Sequence, residues 1–303
     1  AALVLLFGIP VLKEIRARNP NTLDLGGVAL SILTLAALIV PLIKGREAGW
    51  PLWAWVSLMA VPLLAWMFWR YEARLSDAGG SPLLDPHALN VPGLGRALVI
   101  ALLFYTIAPF FLLFSIYLQG ALGTSALSAG LVFLPFGAGF LLGPLLAPAC
   151  KRALGVYVNA TGMGLESAGF ISMMWLLSAT PAGVYPVPAL LAALLFMIGF
   201  GQGIGLPTLM RMVTGRVAPA YSGMIAGVAS STLQLSTALS VAVIGGVFYA
   251  ILDGRTDPAA ITHAFTIALS CIALCLGAAV LLSITLVREP ALPDGKTAAR
   301  STG

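Results

Sequence analysis

The stretch "NATGMGLESAGF", residues 159–170, carries a carboxylate in a place where a carboxylate is hard to keep. Glu166 stands inside an apolar run, about ten residues from its start. That is roughly 15 Å deep at 1.5 Å per residue, where a charged side chain costs on the order of 2.5–3.5 kcal/mol on insertion scales. An acid so placed can hold a proton and release it when water reaches it, or it can bind a cationic group. Two amides, Gln202 and Gln234, also fall in apolar runs and offer hydrogen bonds without a fixed charge. Three aromatics in such runs, Tyr105, Phe111 and Tyr117, can hold flat or cationic compounds at about 0.5–2 kcal/mol each. Each of these side chains also has a plainer use, in packing between helices or against lipid.

Other chemistries lack residues. The two histidines, His87 and His263, sit in a loop and near a helix start, far apart in sequence. Cys150, Cys271 and Cys275 show no metal-binding or redox spacing; Cys271 and Cys275, four apart on one helix face, read as packing. Intramembrane proteolysis by paired acids needs a second acid at the depth of Glu166, and none is found. No catalytic, metal or cofactor site is therefore expected, and no enzyme.

The stretch "GFGQGIGLPTLMRMVTGR", residues 199–216, looks at first like a glycine-rich phosphate cradle. Such a cradle needs a strand before it and a solvated helix start after it. Here the glycines follow "ALLAALLFMI", with no strand available. At helical spacing they form two interleaved pairs, Gly199 with Gly203 and Gly201 with Gly205, that let helix backbones approach closely in lipid. Gly139 with Gly143, and Gly223 with Gly227, repeat the device. Pro207 is expected to bend its helix near one end.

These residues sit on elements that the composition already specifies. Of the 303 residues, 59% are hydrophobic and 9% are charged, against roughly 25% charged in soluble domains. Such a chain cannot cover itself in water. Its apolar runs are long enough to cross a hydrocarbon core of about 30 Å. They predict a helix stub at 1–12 and eight spans near 26–43, 51–69, 97–119, 126–149, 156–179, 187–210, 222–252 and 263–287. The fold class is therefore all-α and polytopic, embedded in a lipid bilayer.

If the spans alternate from the stub, one face receives Lys13, Arg16, Arg18, Arg70, Arg74, Arg96, Lys151, Arg152, Arg211, Arg216, Arg288, Lys296 and Arg300. The other receives Lys44, Arg46 and Arg255. The bias of 13 to 3 makes the first face cytoplasmic. It also accounts for the net charge of +5 without nucleic acid as a partner.

Several stretches resemble the major facilitator superfamily, specifically its fourteen-helix drug:proton antiporter branch. "LDLGGVAL", residues 23–30, is similar to the opening of that branch's first extra central helix. "SIYLQGALGTSALSAGLVFLP", residues 115–135, matches a Y-L-Q…S…A-G-L…L-P stretch. "GFGQGIGLPTLM" matches a G-x-G-x-G-x-x-P segment, and Gly227, Gln234, Ala238 and Ala242 fall in step with an A-x-G…Q…A segment. The chain departs at "CKRALGVY", where the branch's cytoplasmic loop has an acid, and at Ser230, Leu233, Ser236 and Thr237. The resemblance implies that 1–12 is a truncated helix, 26–69 the two central linker helices, 70–96 a cytoplasmic loop, 97–287 the C-terminal six-helix bundle and 288–303 a cytoplasmic tail. It also implies a missing N-terminal bundle of the same protein.

On this resemblance the function is proton-coupled efflux of drug-like compounds by alternating access, in the bacterial cytoplasmic membrane. The partners implied are a small-molecule substrate and protons, with no cofactor. Glu166 becomes the proton-coupling candidate, and Tyr105, Phe111, Tyr117, Gln202 and Gln234 the substrate contacts. The glutamate's helix, however, falls at the periphery of the family's bundle. Two alternatives are a carrier of another solute, such as a metabolite or siderophore, and a half-transporter acting as a non-transporting scaffold.

The charge bias generates a topological prediction. A single cysteine placed in residues 180–186 should react with a membrane-impermeant thiol reagent from outside intact cells, and one near Asp77 should not. Outside labelling near Asp77 would invert the assignment.

Overall fold

The computed structural model describes residues 24–80, 82–85, 89–218 and 221–287. The expected stub at 1–12, the tail 288–303 and His87 lie outside the described residues. Helices account for the described architecture, and no strand occurs among these residues. We number them α1 (Leu25–Glu47), α2 (Leu52–Asp77), α3 (Leu94–Ala121), α4 (Ala126–Val132), α5 (Leu134–Leu154), α6 (Val158–Ala179), α7 (Pro188–Thr214), α8 (Ser222–Leu252) and α9 (Pro258–Val287).

Local chemistry sets most of the boundaries. The Asp24 carboxylate accepts from Gly27 N–H at 2.9 Å and caps α1. Asp257 does the same for α9 through Ala260 N–H at 2.9 Å, with Pro258 in the first turn. That signal starts α9 five residues before the expected 263, because polar Thr262 and His263 do not stop a capped helix. α2 likewise runs on to Asp77 instead of ending at 69. "RYEARLSD" is made largely of good helix formers, and the chain turns only at Gly79 with φ of 72°. Within α3, Pro109 has no N–H for the Tyr105 carbonyl, and the helix tightens to a 3-10 turn at Tyr105–Ile107. A π-turn over Tyr117–Ala121 ends it.

Seven helical runs are long and apolar enough to cross a membrane. One of them, Ala126–Ala179, is 54 residues long, too long for a single crossing. The contacts of α7 show how it divides. Gly199 faces Phe136 of α5 and Gly203 faces Phe140, so α5 and α7 run in the same direction. On α6, Gly162 faces Gly205, Glu166 faces Gly201 and Gly169 faces Ile198, so α6 runs the opposite way. The turn between them is Gly155, with φ of 58°. The described residues therefore hold eight helical segments long and apolar enough to cross a membrane, along the runs the sequence outlines.

The buried core draws on the spans from Leu94 onward, with α5 contributing half-buried Phe136 at its edge. At its centre Phe110, Phe114, Tyr117 and Phe265 stack, with Phe133 and Phe170 edge-on. α1 and α2 form a hairpin beside this core, joined by Ser57 Oγ donating to the Ala37 carbonyl at 2.9 Å. α1 also leans on α8. The exposed faces of α2 and α5 carry Trp55, Met59, Trp66, Leu141 and Leu145, an apolar surface suited to lipid.

α7 is the most intimately packed element. Gly199 and Gly203 lie against the backbone of α5, while Gly201 and Gly205 lie on the other side, against Gly162 and Glu166 of α6 and the Phe104 ring of α3. Gly139 and Gly143 return the contact from α5, against Phe196, Phe200 and Gly203. The pair Gly223 and Gly227 behaves otherwise. A Cβ at either would meet nothing within 4 Å, so the close approach expected of them is not made among the described residues.

Gly143→Val and Gly203→Val should each destabilise the chain by about 1–3 kcal/mol through overpacking, read as a lower detergent Tm. Gly223→Ala and Gly227→Ala should stay within about 0.5 kcal/mol of the parent. Equal effects at all four positions would refute the assignment of close contact to α7 alone.

Candidate functional site

The glycines of α7 bring two polar side chains together. Gly201 lets the α6 backbone approach so closely that a Cβ there would meet Gly162 O at 2.6 Å and Glu166 N at 2.7 Å. Glu166 is fully buried and Gln202 is 3% exposed. With its amide nitrogen toward α6, Gln202 Nε2 donates to Glu166 Oε2 at 2.9 Å and to Oε1 at 3.0 Å. This orientation serves the ionised carboxylate; once protonated, Glu166 donates its O–H to the Gln202 amide oxygen turned the other way. Gln202 thus partners the carboxyl in either state yet supplies no charge. Among the described residues no Lys or Arg acts on Glu166. Chemically, this is a carboxyl group with a fixed neutral partner in a water-poor setting, which suits proton storage.

About two turns further along, a second polar group joins three spans. Thr208 Oγ1 donates to Asn159 Oδ1 at 3.2 Å, and Asn159 Nδ2 reaches Ser283 Oγ at 3.4 Å. Asn159 is thus committed elsewhere and does not serve Glu166. Thr161, the other neighbour on the same helix, bonds back to the Tyr157 carbonyl at 3.0 Å. Ser167 Oγ donates across to the Ala273 carbonyl at 3.3 Å. The α6–α7–α9 contact therefore has a polar spine.

The five expected substrate contacts divide into three places. Tyr105 and Gln234 meet at a cavity of about 380 Å³, lined also by Ser230, Ser231 and Leu233 of α8 and by Leu35 and Ile39 of α1. Gln202 faces Glu166 instead. Tyr117 is buried in the aromatic stack, on Phe114 and Phe265. Phe111, partly exposed, meets Phe133 and Phe136. The lining serines Ser230 and Ser231 were not marked by the sequence as contacts, although with Gln234 they place three polar groups within one helical turn. A smaller cavity of about 160 Å³ lies between α3, α8 and α9, with Cys275, Thr106 and Ser240 on its wall. No cluster of metal-binding side chains occurs among the described residues.

The relatives of the chain decide its family. It is 32% identical to a puromycin resistance protein of Streptomyces alboniger, over 100% of this chain and 60% of that protein. It is 32% identical to a cephamycin export protein of Amycolatopsis lactamdurans, over 73% of this chain and 45% of that protein. It is 25% identical to a multidrug resistance protein of Mycobacterium tuberculosis, over 85% of this chain and 46% of that protein. This chain belongs to the drug-exporter branch of the major facilitator superfamily. No family model matches it. The chain spans about half the length of these curated relatives. As an exporter-family chain with these apolar spans, it is a multi-pass protein of the bacterial cytoplasmic membrane.

The Glu166–Gln202 contact is testable by a double-mutant cycle. Gln202→Leu alone strands a buried carboxyl and should cost about 1–3 kcal/mol in detergent unfolding. The double variant Glu166→Leu/Gln202→Leu should recover part of that loss, giving a coupling energy of about 0.5–3 kcal/mol. Additivity within experimental error would show that the two side chains act separately.

Proposed function

We propose that the chain is the C-terminal part of a secondary active exporter that moves drug-like organic compounds out of the cell in exchange for protons. The observation that carries the coupling half of this reading is the Glu166–Gln202 pair. It is a buried carboxyl partnered by a neutral amide that can donate to it or accept from it, with no cation beside it among the described residues. Names of the relatives support the cargo half, since they speak of puromycin, cephamycin and several drugs.

Alternating access needs two bundles that rock about a shared site. The six spans from Leu94 to Val287 would supply one of them, α1 and α2 the central hairpin, and the half of the relatives not matched here the other. The cavity at Tyr105, Ser230, Ser231 and Gln234 would then be this bundle's contribution to the substrate site. Its mixed lining suits compounds that combine a ring with a few polar groups. Glu166 lies outside that cavity, packed between α6 and α7. Coupling would thus pass through α7, whose other face carries the glycine contact with α5.

In the whole exporter in proteoliposomes, Glu166→Gln should reduce the response of drug efflux to an imposed pH gradient about fivefold or more, the low end of typical coupling energies. Tyr105→Ala and Gln234→Ala should instead alter which compounds are exported and leave that response intact. An unchanged pH response in Glu166→Gln would assign Glu166 to structure alone. Residues 1–303 reconstituted by themselves should not transport; efflux at the rate of the whole protein would refute the two-bundle reading.

A further inference from the structure

A second pair of acids sits away from the bundle core, where α1 begins and α2 ends. Asp24 precedes α1, and Glu72 lies on the last turns of α2, fully buried. Each keeps one oxygen in ordinary hydrogen bonds. Asp24 Oδ1 accepts from Gly27 N–H and from the Tyr71 hydroxyl, both at 2.9 Å. Glu72 Oε2 accepts from Leu84 N–H at 2.9 Å. The remaining oxygens, Asp24 Oδ2 and Glu72 Oε1, are both buried with no hydrogen bond of ordinary geometry, although the Leu83 N–H acts on both acids. They converge on one spot, since a Cβ on Gly27 would collide with both, and the two side chains approach as hydrogen-bond partners.

Carboxylate oxygens only accept, so two ionised groups cannot satisfy each other. No Lys or Arg among the described residues acts on either acid. Arg70 lies over the Trp66 ring, Arg74 is exposed, and the nearby Asp85 is held by Ser76. We propose that Asp24 and Glu72 form a proton-binding site, in which one proton is shared between Glu72 Oε1 and Asp24 Oδ2. Like carboxylates that share a site retain a proton between them in this way. Burial works to raise the Asp24 carboxyl, but the hydrogen bonds from Gly27, Tyr71, Leu83 and Glu72 together outweigh it and hold it below the usual carboxylate range. Asp24 is therefore the ionised partner, and the proton rests on the Glu72 side.

The site joins three parts of the chain. Loss of the proton as pH rises puts two negative charges against each other and loosens α1 from α2. It also disturbs the loop that Glu72 holds through Leu84. The next residue of that loop, Asp85, donates its N–H to the Met224 sulfur at 3.2 Å, at the start of α8. The protonation state of the hairpin is thereby relayed to a span that lines the cavity. This site is independent of Glu166.

Infrared difference spectroscopy of the full chain in detergent, near neutral pH, tests it. The measurement is made in a Glu166→Gln background, so that the other buried acid is silent. A protonated-carboxyl band should remain, and most of it should vanish when Glu72→Gln is added, because the amide supplies the missing donor. Asp24→Asn should remove the band in the same way, and serves if the Glu72 variant does not fold. Persistence of the band in both variants overturns the proposal. So does the lack of any band together with a carboxylate signal that moves on adding sodium or calcium chloride, which would assign a bound cation instead.

Discussion

The close approach of α7 to its neighbours is the constraint on which the rest depends. Lipid gives helices no hydrophobic reason to associate, so packing and hydrogen bonds must hold them. Four glycines at alternate positions leave α7 without side chains on two sides. One side meets the α5 backbone, the other meets α6. Only at that separation can the Gln202 amide reach the Glu166 carboxyl, and can Thr208 reach Asn159 about two turns on. The polar spine and the glycine contacts are thus one structure, and a side chain added at Gly201 would break both.

The spans were legible because eight apolar runs and a one-sided charge distribution are global properties of the chain. The glycine pairs of α5 and α7 were legible for a local reason, their four-residue spacing. The same spacing at Gly223 and Gly227 is followed by no close contact, since spacing states only that two positions share a face, not that a neighbour faces it. Glu166 and Gln202 each stood out as polar groups in apolar surroundings, but their partnership did not. It depends on an antiparallel register between α6 and α7 that no local pattern encodes. Asn159, closer to Glu166 in sequence, bonds Thr208 and Ser283 instead.

The hairpin shows the same limit in a different form. Read in sequence, Asp24 caps a helix and Glu72 belongs to a charged stretch that ends a span. Both readings hold locally. The folded hairpin brings the two within reach, because Gly26 and Gly27 open the first turn of α1 to the Tyr71 and Glu72 side chains. The aromatic candidates differ again. Tyr117 and Phe111 are aromatic in sequence terms like Tyr105, yet the stack around Phe110 and Phe265 takes the first and Phe133 with Phe136 the second. Tyr105 alone of the three lines the larger cavity, on the tightened turn that Pro109 creates.

The partnership of Glu166 with Gln202 also has a history within each molecule. A ribosome makes the chain from its N-terminus, so α6 reaches the bilayer before α7 exists. At about 5–20 residues per second, Gln202 follows Glu166 by roughly two to seven seconds. During that interval the acid must be carried by the apolar remainder of its own helix, or by the insertion machinery. The first three turns of α7 are wholly apolar, and its glycines come only later in the helix. The helix that arrives last is therefore the one that completes its predecessor, and correct insertion of α6 is finished by a sequence that had not been translated when it began.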